Sequence, residues 1–150
     1  MSKLRGRVQQ NKISKKLPSD TKCSSAQYPW LSFQSMTKNT RYNLENLKQG
    51  KEREVTLNGL YHKLYELSCN DWVYWMQRPK TVGLETIEYG DINFTASDNG
   101  TLSKDTKLYV FRFDTYKGRG AGRILGYKNV PCSVLHIIGY DLDYSAYDHD

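Results

Sequence analysis

The sequence predicts an α+β fold, a helical pair packed on an antiparallel β-meander with a basic flexible N-terminal arm, and three observations carry that reading. Apolar residues recur at three- and four-residue steps from Leu57 through Leu60, Tyr61 and Leu64 to Leu67, the spacing of one helix face. From Val82 onward the period changes to two, most cleanly over residues 107–116, which is the alternation of a strand. The net charge of +6 is confined to one end of the 150-residue chain. Lys3, Arg5, Arg7, Lys12, Lys15, Lys16 and Lys22 stand against Asp20 there, and the rest of the chain carries fifteen basic and fifteen acidic side chains.

Residues 1–27 are rich in Lys, Ser, Gln and Asn, too polar to offset their own ordering entropy, and are expected to form the arm. Residues 28–150 are expected to form one domain, since a chain of this length suits a single core. After Pro29, Leu31, Phe33 and Met36 suggest a short strand, and the polar stretch 37–54 reads as loop. Thr56 is placed as the N-cap of the first helix. Ser68-Cys69-Asn70-Asp71 offers a break and a fresh cap, after which Trp72, Val73, Trp75 and Met76 form a second short helix that ends before Pro79. Aromatic residues at helical spacing are read as core rather than as a surface for stacking bases.

Leu84 to Tyr89 is read as a strand broken at Gly90-Asp91 and continued by Ile92 and Phe94 toward the turn signal Asp98-Asn99-Gly100. The meander follows. A strand over residues 107–116 turns through Lys117-Gly118-Arg119-Gly120-Ala121-Gly122 into a second over 123–128, and Asn129-Val130-Pro131 leads into a third over 133–140. Such a sheet is expected to cover its apolar face with the helices.

Mean hydropathy is −0.73, no run approaches the roughly 20 apolar residues of a membrane span, and the basic N-terminus lacks the apolar region of a secretory signal. A soluble, cytoplasmic protein with no membrane partner is expected. The cysteines at 23, 69 and 132 are odd in number and form no Cys-x-x-Cys pair, so they are read as small buried side chains.

Three groups of residues are candidates for chemistry. With Tyr109, Phe111 and Phe113 on the buried face, alternation places Arg112, Arg123, Tyr127 and His136 together on the other. Such a set suits RNA cleavage by 2′-hydroxyl attack, with His136 or a tyrosine moving a proton and the arginines stabilising charge on the phosphate. The glycines of 117–122 are interleaved with Lys117 and Arg119, and their backbone N–H groups are expected to approach a phosphate backbone; without the Walker spacing they do not bind a nucleoside triphosphate. Asp141-x-Asp143 lacks the glycine and distal glutamate of a calcium loop, so no metal or other cofactor is assigned. The acidic end is expected to be solvated and to pair with the protein's own basic loop or with the basic arm of a neighbour. The arm residues Lys3, Arg5, Arg7, Lys12, Lys15 and Lys16, with Lys117 and Arg119, are the expected nucleic-acid contacts.

The stretch Gly122-Arg123-Ile124-Leu125-Gly126-Tyr127, followed by a short turn and by Val134-Leu135-His136-Ile137-Ile138-Gly139-Tyr140-Asp141, resembles the C-terminal half of the RelE/ParE-type toxin fold. It is similar also to small bacterial and phage proteins that end in the same pattern. The resemblance spans residues 57–150. It implies an antiparallel sheet packed on helices and, for the ribonuclease branch, ribosome-dependent mRNA cleavage, with Arg112, Arg123, Tyr127 and His136 at the matching positions and an antitoxin as protein partner. The expected function is therefore RNA-directed, a RelE-like RNA-cleaving toxin. A phage or mobile-element protein that binds a host nucleoprotein complex through its arm is the first rival, and a structural or assembly protein the second.

Overall fold

The computed structural model describes residues 28–149 apart from 82, 99, 101 and 129–132. Two helices pack on a five-stranded, mostly antiparallel sheet, an α+β arrangement. The elements are β1 (Trp30–Ser32), α1 (Lys51–Cys69), α2 (Trp72–Met76), β2 (Leu84–Glu88), β3 (Lys107–Thr115), β4 (Gly118–Lys128) and β5 (Val134–Asp141). The sheet order is β1-β5-β4-β3-β2, with β1 parallel to β5 and every other neighbour antiparallel. Residues 1–27, expected to form the arm and including Cys23, and residues 129–132, including Cys132, lie outside the described residues.

Helix α1 begins five residues before the expected cap. Lys51-Glu52-Arg53-Glu54 are good helix formers, and Glu52 and Glu54 fall in the first turn, where carboxylates meet the positive end of the helix dipole. Thr56 is consequently interior and fully buried, and its hydroxyl accepts from the Tyr116 N–H (3.4 Å). The earlier start also fixes the buried face: Leu60 and Leu67 are buried and Leu64 packs beside them, whereas Leu57 and Tyr61 point to solvent. Asp71 caps α2 as expected, its carboxylate accepting from Tyr74 N–H (2.8 Å). Trp72 and Trp75 are core. Cys69 is an exposed free thiol rather than a buried side chain, because it ends the helix on its outer side.

The sheet is covered on both faces, not one. On the first, Leu60, Leu67, Trp72 and Trp75 meet Phe111, Phe113, Ile124, Leu135, Ile137 and Tyr140; the Trp75 and Phe111 rings lie edge to face at 5.4 Å. On the second, Leu108, Val110, Leu125 and Ile138 lie beneath Tyr42, Phe94, Ala96, Ala146 and Tyr147, residues of three irregular segments. These segments are held by backbone bonds: Thr37 N–H to Ile138 C=O (2.8 Å), Tyr140 N–H to Tyr42 C=O (2.8 Å) and Asn93 N–H to Ala146 C=O (2.7 Å). Ile92 and Phe94 thus belong to a covering loop, after a short 3-10 turn at Tyr89–Asp91, and do not continue β2. The acidic end is likewise folded onto the sheet.

The turn between β3 and β4 is only Tyr116-Lys117; Gly118 to Gly122 lie in β4. Positive φ angles at Gly118 (137°) and Gly120 (60°) accompany a register shift between Phe113 and Thr115, a bulge that glycine permits. At the crossing of α1 over β3 a Cβ built on Gly59 would sit 1.9 Å from the Asp114 carbonyl oxygen and 2.8 Å from its carbon. The helix therefore rests backbone on backbone. Gly59→Ala is expected to lower stability by roughly 1–3 kcal/mol through overpacking, although alanine is the better helix former by about 1 kcal/mol. A urea midpoint equal to or above that of the parent would contradict this close approach.

Candidate anion-binding cleft

The four residues expected to converge do share one face. Arg112 pairs with Arg123 across β3 and β4, and Tyr127 with His136 across β4 and β5. They form two separate pairs, because Arg123 and Tyr127 are four residues apart on one strand, about 13 Å, and Val110 and Leu125 fill the interval.

The arginine pair splits further. Like charges directly opposite on a sheet repel, and the two guanidiniums leave in different directions. Arg123 is 4% exposed; its Nη1 donates to the carbonyls of Gly120 (2.6 Å) and Gly122 (3.2 Å), and it lies 5.0 Å from the Tyr144 ring. It therefore knits the β3–β4 hairpin to the C-terminal segment. Arg112 instead points to the sheet edge, where β2 has ended: its first residue, Leu84, pairs with Phe111.

Beyond that point lies an open cleft of about 700 Å³ between α1, the α2–β2 connection and the β3–β4 hairpin. Lys63, Arg78, Arg112 and Arg119 line it, with Asn58 and His62 on the helix wall. Glu66 and Asp114 are its carboxylates, and each already has a partner. Glu66 takes the Lys63 ammonium (2.7 Å), and Asp114 accepts from Gly120 N–H (2.8 Å). Among the described residues, Arg78, Arg112 and Arg119 pair with no carboxylate. Arg78 instead bonds the Tyr74 hydroxyl and stacks over its ring at 4.3 Å. The Arg112 Nε is buried with no hydrogen-bond partner, as is the Nε of Arg123. Such a set is chemically suited to an oxyanion with several acceptor atoms.

Of the expected nucleic-acid contacts, Arg119 reaches this cleft, beside the catalytic candidate Arg112; Lys117 lies in the adjoining turn with its ammonium over the Tyr116 ring (5.9 Å), and the arm residues are outside the described residues. The glycines serve the bulge, and the Gly120 N–H is already taken by Asp114. Lys63, Arg78 and His62 were not singled out by sequence; only the fold brings α1 and the α2–β2 connection to one edge.

At the other end of the face the Tyr127 and His136 rings stack at 4.8 Å, and the Tyr127 hydroxyl shares a hydrogen bond with Ser35 Oγ (2.9 Å). Burial draws the His136 imidazole below its ordinary value of 6.5. Asp141, fully buried opposite Arg123, accepts the N–H groups of Asp143, Ser145 and Ala146 at 3.1–3.2 Å, so it shapes the C-terminal turn. Asp143 pairs with Arg41 (2.7 Å), a basic residue of a covering loop. Tyr147 is buried, its phenol pushed up to about 12 by that burial, and it donates to Glu85 (3.3 Å).

No family model, no curated protein and no solved structure matches the chain. No helix among the described residues is long and apolar enough to cross a membrane.

The state of His136 is measurable. Desolvation favours the neutral ring in the folded chain, so the unfolded chain binds the proton more readily once pH falls to about 6.5, and stability declines on acidification through that range. An NMR titration is expected to place the His136 midpoint below 6.5, and His136→Gln to shrink the acid-side decline of the urea midpoint. A ring that titrates at or above 6.5 would contradict its burial.

Proposed function

We propose that this chain is a nucleic-acid-directed protein of the cytoplasm that grips the phosphate backbone of RNA, in preference to DNA, through the cleft at the end of β2. The observation that carries this is the group of three guanidiniums, Arg78, Arg112 and Arg119, that line the cleft with no carboxylate partner among the described residues. Arginine meets phosphate bidentately and stays charged at any physiological pH. The cationic residues 1–22 add a second, longer-ranged attraction, since each neutralised phosphate releases condensed counterions. Together they suit a polyanion better than a small isolated anion.

The test is RNA binding by the full chain across a salt series. Affinity is expected to fall steeply with salt, and Arg112→Ala or Arg119→Ala to reduce the slope of log K against log salt by about 0.7 for each single-strand phosphate that the variant no longer neutralises. Identical slopes in parent and both variants would remove the cleft from the interface.

A second reading, RNA cleavage in the manner of the RelE/ParE-type toxins, is favoured by the Tyr127–His136 pair. An imidazole held neutral near pH 7 can take the proton from a ribose 2′-hydroxyl. The 2′-oxygen then attacks phosphorus, the bond to the 5′-oxygen breaks, and that oxygen takes a proton from water, giving a 2′,3′-cyclic phosphate and a 5′-hydroxyl end while the imidazolium returns its proton to solvent. Incubation of end-labelled mRNA with the protein and ribosomes is expected to yield such ends, and His136→Gln to abolish them. Intact RNA with the parent protein, or undiminished cutting by the variant, would refute cleavage by this pair and leave the binding reading standing.

A further inference from the structure

Helix α1 presents two faces beside its buried one. The first lines the cleft with Asn58, His62, Lys63 and Glu66. The other carries Tyr61 and Tyr65, which are 65% and 62% exposed and belong to neither hydrophobic core cluster. Residues four apart are neighbours on a helix, and these rings are spaced about 6 Å along its axis. The faces meet at His62, which lines the cleft and whose ring contacts that of Tyr61 at 6.0 Å. Two large rings exposed beside a group of arginines that have no carboxylate partner among the described residues form a platform and a charged groove in continuity.

We infer that the nucleic acid held by this cleft is single-stranded, with its backbone on Arg78, Arg112 and Arg119 and its bases laid on the rings of Tyr61 and Tyr65. The inference rests on the nucleic-acid reading of the cleft. A strand whose bases are unpaired offers their flat faces to aromatic side chains, and a positive groove with adjoining rings is the general solution for such ligands. A duplex keeps those faces stacked on each other and gains only the phosphate contacts. The tyrosines thus supply selectivity for unpaired nucleotides, and the arginines supply attraction.

The experiment is fluorescence anisotropy at low salt with the full chain, a labelled single-stranded RNA and the same RNA annealed to its complement. The parent is expected to bind the single strand more tightly than the duplex. Tyr61→Ala combined with Tyr65→Ala is expected to weaken single-strand binding by about tenfold or more and to leave duplex binding unchanged, while Tyr61→Phe with Tyr65→Phe retains the parental preference. Both positions are exposed, so an unaltered thermal midpoint is expected to accompany the change. Single-strand affinity that survives the double alanine variant, or equal losses on both RNAs, would overturn the inference while the arginine-dependent binding stands. Failure of the parent to bind either RNA at low salt would overturn the nucleic-acid reading together with it.

Discussion

Burial of the sheet on both faces is the constraint from which the rest of the arrangement follows. With helices on one side and three irregular segments on the other, the faces of the sheet offer little room for polar chemistry. A charge left inside would need a partner or would cost several kcal/mol. Arg123 meets this demand in part, its Nη1 donating to two carbonyls while its Nε has no partner, and Asp141 meets it by accepting three backbone N–H groups. Arg112 runs toward the edge, which is open because β2 pairs with only five residues of β3. The cleft is thus a consequence of strand length.

Its walls are set by equally local causes. Gly59 lets α1 lie against the Asp114 carbonyl, and that close approach draws Asn58, His62 and Lys63 down to the sheet edge. The bulge at Gly118 and Gly120 bends the hairpin so that Arg119 lines the same space, while Asp114 is held by the Gly120 N–H and its charge is partly answered there. A larger residue at position 59 would lift the helix, and a hairpin without the bulge would aim Arg119 elsewhere. Placement of the cations therefore depends on two places where side chains are missing.

Much of the fold was legible in residue patterns. The two helices, the capping Asp71, the three-stranded meander and the common face of Arg112, Arg123, Tyr127 and His136 all follow from spacing alone. What spacing could not supply was which residues far apart in sequence come together. The parallel pairing of β1 with β5 joins positions about a hundred residues apart, and the covering role of Phe94 and Tyr147 depends on loops whose composition reads as solvent-facing. One signal was present: Leu108 and Val110 are apolar on the side opposite Tyr109 and Phe111, which is the mark of a strand buried on both faces. The same gap explains the site. Alternation assigns a face, but not how far apart two residues on that face lie or which of them is covered, so Arg123 was grouped with residues from which the core separates it.

The proposed role joins a groove on the globule to a cationic leader that precedes β1 in the chain. Their contributions can be told apart residue by residue, and amide chemical-shift mapping during titration with single-stranded RNA is the most direct test. The largest shifts are expected in residues 58–66, 78–81 and 112–120, around the end of β2. Shifts confined to residues 1–27, or centred on Tyr127 and His136 with the cleft unperturbed, would contradict it.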